Sequence, residues 1–246
     1  MMSAIITREI QYTAPDGKTL IGFFAAPQSD IPLPAVLVAP EWWGRNDYVM
    51  QRAQELAEHG YAAFAIDMYG DKQTTEQASQ ANEWMMETFQ QPNTIVERVT
   101  AALATLAAQP EVDVQRLAAI GFCFGGKVVL DLARSGAEVK AVATFHGNLS
   151  TATPAEKGKI KAEVLVLHGE LDSMVTLDNV ESFKQEMQAA DVKHEVMILA
   201  NAKHGFSNPL ADVRAKANGV DLGYNPEAER AGLDAMYQLL ARDLRA

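Results

Sequence analysis

The chain has almost no cysteine: Cys123 is the only one among its 246 residues. A single cysteine excludes an internal disulfide, and its free thiol would keep best in a reducing compartment. No apolar run approaches the roughly 20 residues that a membrane-spanning helix needs. The N-terminal stretch also lacks the basic start and long apolar region of a secretory signal. From these absences we expect a cytoplasmic protein without a membrane partner.

Positive charge is also scarce, because 21 lysines and arginines face 32 acidic residues, for a net charge of -11 at pH 7. Such an acidic chain is a poor partner for nucleic acid or for an anionic membrane surface. No cluster of ligand-type residues has the spacing of a metal site, so we expect neither a metal nor another cofactor. The sequence contains no repeat, low-complexity tract or linker, and it is silent on oligomeric state.

What the sequence does contain is an alternation of strand-like apolar runs with helical patterns. Residues 5–13 and 20–26 flank the turn Pro15-Asp16-Gly17 and predict an antiparallel hairpin at one sheet edge. The later predicted strands are 35–39, 61–67, 116–122, 139–145, 162–169 and 194–199, and the predicted helices are 47–58, 75–89, 94–108, 127–134, 177–187 and 226–244. This order predicts a single α/β domain over residues 1–246, with a mostly parallel sheet covered on both faces.

The pentapeptide around the only cysteine carries the first chemical signal. Gly121-Phe122-Cys123-Phe124-Gly125, followed by Gly126, has the pattern of a nucleophile elbow with a thiol in place of a serine hydroxyl. A buried strand precedes it and a helix follows it, and the helix N-terminus favours a thiolate. The alternative is that Cys123 is a small buried hydrophobic residue without a chemical role.

Two residues further along the chain suit the partners of such a nucleophile. Asp172 follows one predicted strand and His204 follows the next, so both lie at the carboxyl edge of the sheet with Cys123. His204 would take the thiol proton, and Asp172 would orient the imidazole. Glu170 competes with Asp172 as the acid, and His146, at the end of another strand, is the second choice for the base.

In these motifs the chain resembles the dienelactone hydrolases, a family of the α/β-hydrolase fold. The motifs that carry the resemblance are Gly121-Phe122-Cys123-Phe124-Gly125-Gly126, His168-Gly169-Glu170-Leu171-Asp172, His204-Gly205-Phe206, Pro40-Glu41-Trp42-Trp43-Gly44 and Asp67-Met68-Tyr69. The resemblance implies a three-layer α/β/α hydrolase fold and a triad of Cys123, Asp172 and His204. It also implies a small ester or lactone as the substrate, cleaved through a thioester.

The resemblance also assigns roles to the loop that contains Glu41. In the family this glutamate helps to take the cysteine proton once substrate is bound, and a partly desolvated carboxylate with a raised pKa suits that task. The alternative is a carboxylate that only bonds to loop amides. We expect the backbone N–H groups of Phe124 and Trp42 to form an oxyanion hole. Trp42 and Trp43 would also wall the pocket.

The substrate itself stays open at this point. Members that act on dienelactone carry two arginines that clamp the substrate carboxylate, and the matching positions here are Asp71 and Asn208. Arg45 and Lys203 could compensate. The residues that we predict to contact substrate are Trp43, Arg45, Tyr69, His146 and Phe206. The alternatives are a broad carboxylesterase or thioesterase for uncharged small esters, and a non-catalytic binding protein with a redox-sensitive Cys123.

Two segments lack a clear packing role in the sequence. Residues 70–80 are polar, which suggests a mobile loop over the pocket. Residues 206–225 form a long segment directly after His204 that contains Gly219 and Gly223 and shows no regular pattern. Long loops in such places are often functional, so we expect a lid or a substrate rim there.

Overall fold

The computed structural model describes residues 4–91 and 93–244, in which eight strands form one sheet. The strands are β1 (Ile5–Thr13), β2 (Thr19–Pro27), β3 (Leu33–Ala39), β4 (Ala62–Ala65), β5 (Val112–Phe122), β6 (Ala141–Phe145), β7 (Glu163–Gly169) and β8 (His194–Leu199). The helices are α1 (Asp47–Glu58), α2 (Ala78–Gln90), α3 (Thr94–Ala107), α4 (Phe124–Arg134), α5 (Leu177–Ala189), α6 (Ala211–Asn218) and α7 (Pro226–Leu244).

The sheet has the order β1-β2-β4-β3-β5-β6-β7-β8. β1 pairs with β2 and β2 pairs with β4 in antiparallel fashion, whereas every neighbouring pair from β4 to β8 is parallel. The predicted N-terminal hairpin and mostly parallel sheet are therefore confirmed. The carboxyl ends of β3, β5, β7 and β8 lie at the same edge, and the predicted site residues follow these ends.

Helices cover both faces of the sheet. In β3, Val36 and Val38 belong to the hydrophobic cluster that contains α1 and α7 residues, whereas Leu37 belongs to the cluster on the other face, with residues of α3, α4 and α5. Alternate residues of a strand point to opposite faces, so this strand is apolar throughout because both of its faces are buried. Within the described ranges, none of the helices combines the length and hydrophobicity that crossing a membrane requires.

Several predicted boundaries need correction. α4 begins at Phe124 rather than at residue 127, because Gly125 and Gly126 lie in its first turn and not in a loop before it. The segment 206–225, which we expected to be irregular, contains α6 and a left-handed Gly219 at its end, with φ 66°. The polar segment 70–80 ends in the first turn of α2. The sequence pattern missed α6 because a two-turn helix without an apolar stripe is hard to recognise.

One buried carboxylate, that of Asp67, organises the loop that follows β4. Its oxygens accept hydrogen bonds at 2.9 to 3.2 Å from four backbone amides, those of Ile21, Tyr69, Gly70 and Lys72. Without this carboxylate the amides would need other acceptors, and buried donors without acceptors are costly. Ile21 belongs to β2, so Asp67 also ties the loop to the antiparallel hairpin.

We therefore predict that Asp67→Ala lowers the free energy of unfolding by about 2–4 kcal/mol, because buried amide donors lose their acceptor. Urea unfolding with linear extrapolation measures this change. The matched control is Asp30→Ala, an exposed aspartate, which should shift the same quantity by less than about 0.5 kcal/mol. Equal effects of the two substitutions would contradict this account of Asp67.

Candidate active site

Cys123 is the single residue between β5 and α4. Its φ of 53° and ψ of -114° lie outside the conformations that L-residues usually adopt. Its N–H donates to the Phe145 carbonyl of β6 at 3.0 Å, which fixes this strained residue to the neighbouring strand. The side chain is partly exposed. The backbone thus has the sharp strand-turn-helix geometry that the motif predicts, and strain of this kind is concentrated at functional sites.

The first turn of α4 packs directly on the end of β3. A Cβ atom on Gly125 would lie 2.3 Å from the Ala39 carbonyl oxygen and 2.6 Å from the Pro40 carbonyl oxygen, which no real side chain tolerates. Glycine is therefore required for this contact. Because Trp42 follows Pro40 by two residues, the same contact places the loop after β3 beside the turn that holds Cys123.

Tyr69 connects the two residues of the predicted oxyanion hole. Its hydroxyl donates to the Trp42 carbonyl at 3.0 Å. Its ring stacks on that of Phe124, with centroids 5.9 Å apart and planes at 12°. Phe124 is the first residue of α4, where a backbone N–H has no acceptor within the helix. The positive end of the helix dipole lies at the same point, close to the Cys123 sulfur.

His204 and Asp172 form a buried hydrogen-bonded pair. His204 Nδ1 lies 2.8 Å from Asp172 Oδ2, and the other carboxylate oxygen accepts from the Met174 and Val175 amides at 2.9 Å. With this carboxylate as acceptor, Nδ1 carries the proton and donates it. His204 Nε2 has no hydrogen-bond partner of regular geometry within the described residues. This nitrogen is therefore available to exchange a proton with Cys123.

Within this pair, each residue favours the ionised form of the other. Burial alone lowers the pKa of His204, but the Cys123 sulfur and the Asp172 carboxylate together raise that pKa above its usual value. Burial opposes ionisation of Asp172, yet the hydrogen bond and charge of His204 and the amide of Val175 hold the pKa of its carboxyl below its usual range. An ionised Asp172 beside a basic imidazole is the arrangement that proton transfer from a thiol needs.

The competing acid and base residues have other partners. Glu170 is exposed, and its Oε2 accepts from the Asn201 amide at 2.9 Å. His146 is fully buried with φ 40°, and its Nε2 lies 2.8 Å from the Ser207 hydroxyl oxygen. Its ring stands edge-on to His204, with centroids 5.1 Å apart. Burial and the nearby His204 lower the pKa of His146 well below its usual value, so it is a neutral packing partner.

Glu41 lies in a buried polar cluster next to this pair. Its Oε2 accepts from Asn208 Nδ2 at 2.6 Å and faces Arg214 Nη1 at 3.4 Å. Burial raises the pKa of Glu41, and the charge of Arg214 and the hydrogen bond from Asn208 offset part of that rise. Asn208 occupies the position where an arginine that binds the substrate was expected. Its side chain is thus a hydrogen-bond donor to Glu41. The Asn208 partner is a loop amide, as the alternative for Glu41 expects, whereas Arg214 adds a cation that this alternative does not include.

Arg214 is a site residue that the sequence analysis missed. It is buried, although it belongs to α6, and its guanidinium makes two hydrogen bonds to Glu76 at 2.8 and 2.9 Å. The guanidinium also lies 4.9 Å from the Trp43 ring centroid. Arg214 therefore joins α6, the loop before α2 and Glu41 in one cluster. An arginine in a segment of unrecognised structure offers no signal in sequence that its side chain turns inward.

A cavity of about 350 Å³ contains Cys123 and His204 in its lining. The rest of that lining is mostly apolar and consists of Trp42, Met85, Phe89, Phe124, Met174, Val175 and Leu222, with Lys127, Asn148, Ser150 and Asn179. Over the described residues, Lys127 is the one lysine or arginine in the lining, and it pairs with Asp131 at 2.8 Å. The cavity thus offers apolar contacts and no free positive charge to a substrate.

The residues predicted to contact substrate are not part of this lining. Trp43, Arg45, Tyr69, His146 and Phe206 are all buried, and they are not among the described residues that line the cavity. The Arg45 guanidinium pairs with Glu9 at 2.7 Å, which removes it as a free cation for a substrate carboxylate. Lys203 is exposed and pairs with Asp221 at 2.7 Å. Direct contact of the five residues with substrate stays a prediction.

Comparisons with known proteins agree with this geometry. The sequence model described as "Dienelactone hydrolase family" matches residues 20–244. An Escherichia coli O157:H7 protein named "Putative carboxymethylenebutenolidase" is 29% identical over 203 residues, which cover 78% of this chain and 74% of that protein.

Two solved structures are similar over nearly the whole chain. The structure named m3DLH aligns with a TM-score of 0.92 and 38% identity, covering 98% of this chain and 100% of that chain. The dienelactone hydrolase-like promiscuous phosphotriesterase P91, from metagenomic libraries, aligns with a TM-score of 0.90 and 37% identity, covering 98% of this chain and 99% of that chain.

The pair formed by Glu41 and Arg214 generates a double-mutant prediction. Arg214→Met leaves the Glu41 carboxylate buried without its cation and should cost about 3 kcal/mol of unfolding free energy. Adding Glu41→Gln should recover more than half of that cost, because an amide needs no counter-charge. Urea unfolding of the four proteins of the cycle measures the coupling.

The control for this cycle is Glu76→Gln, which alters the exposed partner of Arg214 and should cost less than about 1 kcal/mol. Simple additivity of the Arg214 and Glu41 substitutions would contradict a direct charge interaction between them.

Proposed function

Because the chain belongs to the dienelactone hydrolase family, we propose that it cleaves a small uncharged ester or lactone through a thioester on Cys123. Family membership makes the protein a hydrolase of the carboxylic-ester class. The observation that carries the finer proposal is the buried His204–Asp172 hydrogen bond of 2.8 Å, whose imidazole lines the same cavity as Cys123. A cysteine with no chemical role would need neither partner.

The proposed reaction begins with proton transfer from the Cys123 thiol to His204 Nε2. The thiolate attacks the carbonyl carbon, a C–S bond forms, and the carbonyl oxygen becomes an oxyanion held by the Phe124 and Trp42 N–H groups. Collapse of the tetrahedral intermediate breaks the C–O bond to the alcohol, and His204 gives its proton to the leaving oxygen. Asp172 keeps the imidazole oriented and stabilises its positive charge in both steps.

Hydrolysis of the thioester completes the cycle. His204, now neutral, takes a proton from water, and the resulting hydroxide attacks the thioester carbonyl. The C–S bond breaks, the Cys123 thiolate leaves and the acid product is released, and His204 returns its proton to the Cys123 sulfur. A thiolate leaves more readily than an amine, so an amide intermediate would return to substrate. For this reason we propose esters and lactones, and not peptides, as substrates.

Glu41 has a supporting role in this proposal. Its pKa is raised by burial, and its carboxylate lies in a cluster with Asn208 and Arg214 next to the charge of His204. A basic carboxylate in that place can take part in removing the thiol proton when substrate excludes water. The charge of Arg214 and the hydrogen bond from Asn208 oppose this rise of the pKa.

The charge of the cavity supports uncharged over anionic substrates. The carboxylate of a dienelactone would need a cation, but Asp71 is exposed and Asn208 serves Glu41. Lys127 is already paired with Asp131. Burying an unpaired carboxylate against Trp42 and Met174 costs more than burying a neutral ester of the same size. We therefore favour uncharged substrates.

A thiol nucleophile also favours a reducing compartment, and we propose the cytoplasm.

The test of this proposal is the hydrolysis of p-nitrophenyl acetate in a stopped-flow instrument. Wild-type enzyme should show a burst of p-nitrophenol followed by slower turnover, because the acyl-enzyme forms faster than it is hydrolysed. Iodoacetamide should remove both phases. Cys123→Ala should lower kcat/KM by about 10³-fold or more, with an unchanged circular dichroism spectrum.

Lys203→Ala serves as the matched control, since among the described residues its exposed ammonium pairs with Asp221 and it is not assigned to the reaction. It should keep wild-type rates. Turnover that survives in Cys123→Ala, or that persists after complete alkylation of Cys123, would overturn the proposal.

A further inference from the structure

A second and larger cavity adjoins the one that contains Cys123. This groove has a volume of about 730 Å³ and lies between α3, α4 and the loop after β6. It shares four lining residues with the first cavity: Phe89, Lys127, Asn148 and Ser150. The two spaces are therefore adjacent along these four residues.

The groove differs from the first cavity in its chemistry. Its lining is rich in hydroxyl and amide side chains, among them Asn93, Thr151 and Thr153. Its cations are each neutralised by a neighbouring carboxylate. Lys127 and Arg134 share Asp131 at 2.8 and 3.0 Å, Arg134 also pairs with Glu186 at 2.8 Å, and Lys159 pairs with Glu156 at 3.0 Å. A groove of this kind suits a polar group without charge.

The reaction geometry decides which half of an ester would enter the groove. His204 must give its proton to the leaving oxygen, so the alcohol half lies beside His204. Met174 and Leu222 line the first cavity with His204, and none of these three residues lines the groove. The groove adjoins the first cavity instead at Phe89 and Lys127. The acid half of the ester is therefore the half that faces the groove.

We propose that this groove is a second subsite, which binds the polar, uncharged end of the substrate's acid half. The inference rests on the proposed function, since it takes Cys123 as the point of cleavage. The substrate class is an ester whose acid half has an apolar segment next to the carbonyl and a hydroxyl- or amide-bearing end beyond it. The apolar segment contacts Phe89 and Met85, and the polar end meets Asn93, Thr151 and Thr153.

The experiment compares two p-nitrophenyl esters that differ only at the far end of the acid half, ω-hydroxyoctanoate and octanoate. In the wild-type enzyme, kcat/KM should be about fivefold higher for the hydroxylated ester, which corresponds to one neutral hydrogen bond of about 1 kcal/mol. Thr153→Trp and Val96→Trp fill the groove from opposite walls. Each should bring the ratio of the two kcat/KM values close to one.

The ratio is measured within one protein sample, so a loss of active enzyme in a variant cancels. Ile31→Trp is the matched control, because Ile31 is 69% exposed and precedes β3. It therefore lies at the amino-terminal end of this strand, whereas the site lies at the carboxyl ends. This variant should keep the wild-type ratio. A second arm places the hydroxyl on the alcohol half and compares ω-hydroxyoctyl acetate with octyl acetate, where we expect no preference.

The outcomes separate the subsite from the proposed function. A wild-type ratio of one or below, with p-nitrophenyl acetate still hydrolysed by Cys123, would overturn the subsite and leave the hydrolase proposal standing. A preference that survives both tryptophan substitutions, or that occurs on the alcohol half, would also overturn it. Absence of turnover for every ester would instead reject the proposed function.

Discussion

The contact of Gly125 with the carbonyl groups of Ala39 and Pro40 is the constraint on which the site depends. It lets the first turn of α4 lie against the end of β3, which no larger residue at that position would allow. The consequence is that Cys123 and Trp42, from different strand ends, lie at one place with a helix N-terminus beside them. Tyr69 and Asp67 then hold this arrangement from the neighbouring loop.

The charged groups of the site form two pairs. His204 and Asp172 stabilise each other's ionised forms, and His146 stays neutral beside them, so its ring adds no positive charge. Glu41 is compensated separately, by Arg214 from α6. Because Arg214 pairs with Glu41 and Lys127 of the described cavity lining pairs with Asp131, we propose an uncharged ester as the substrate. The proposed preference for uncharged substrates follows because each guanidinium of the site is already paired with a carboxylate of the protein.

Much of this arrangement was predictable from the sequence because its signals are local. The glycines around Cys123 mark the elbow, and the apolar runs that end before Asp172 and His204 place both residues at one sheet edge. Arg214 was not predictable, since its partners Glu41 and Glu76 are far away in sequence and its helix is short. The sequence predicts a substrate contact for Arg45. It gives no sign that Glu9, which lies on a distant strand, forms an ion pair with the Arg45 guanidinium.

The central claim is that the acyl group is transferred to the Cys123 sulfur. The most direct measurement is acid quenching of the enzyme during turnover of p-nitrophenyl octanoate, followed by proteolysis and mass spectrometry. We expect an octanoyl group on the peptide that contains Cys123, bound through a thioester that hydroxylamine releases at neutral pH. An octanoyl group on another residue during the burst, with Cys123 unmodified, would contradict it.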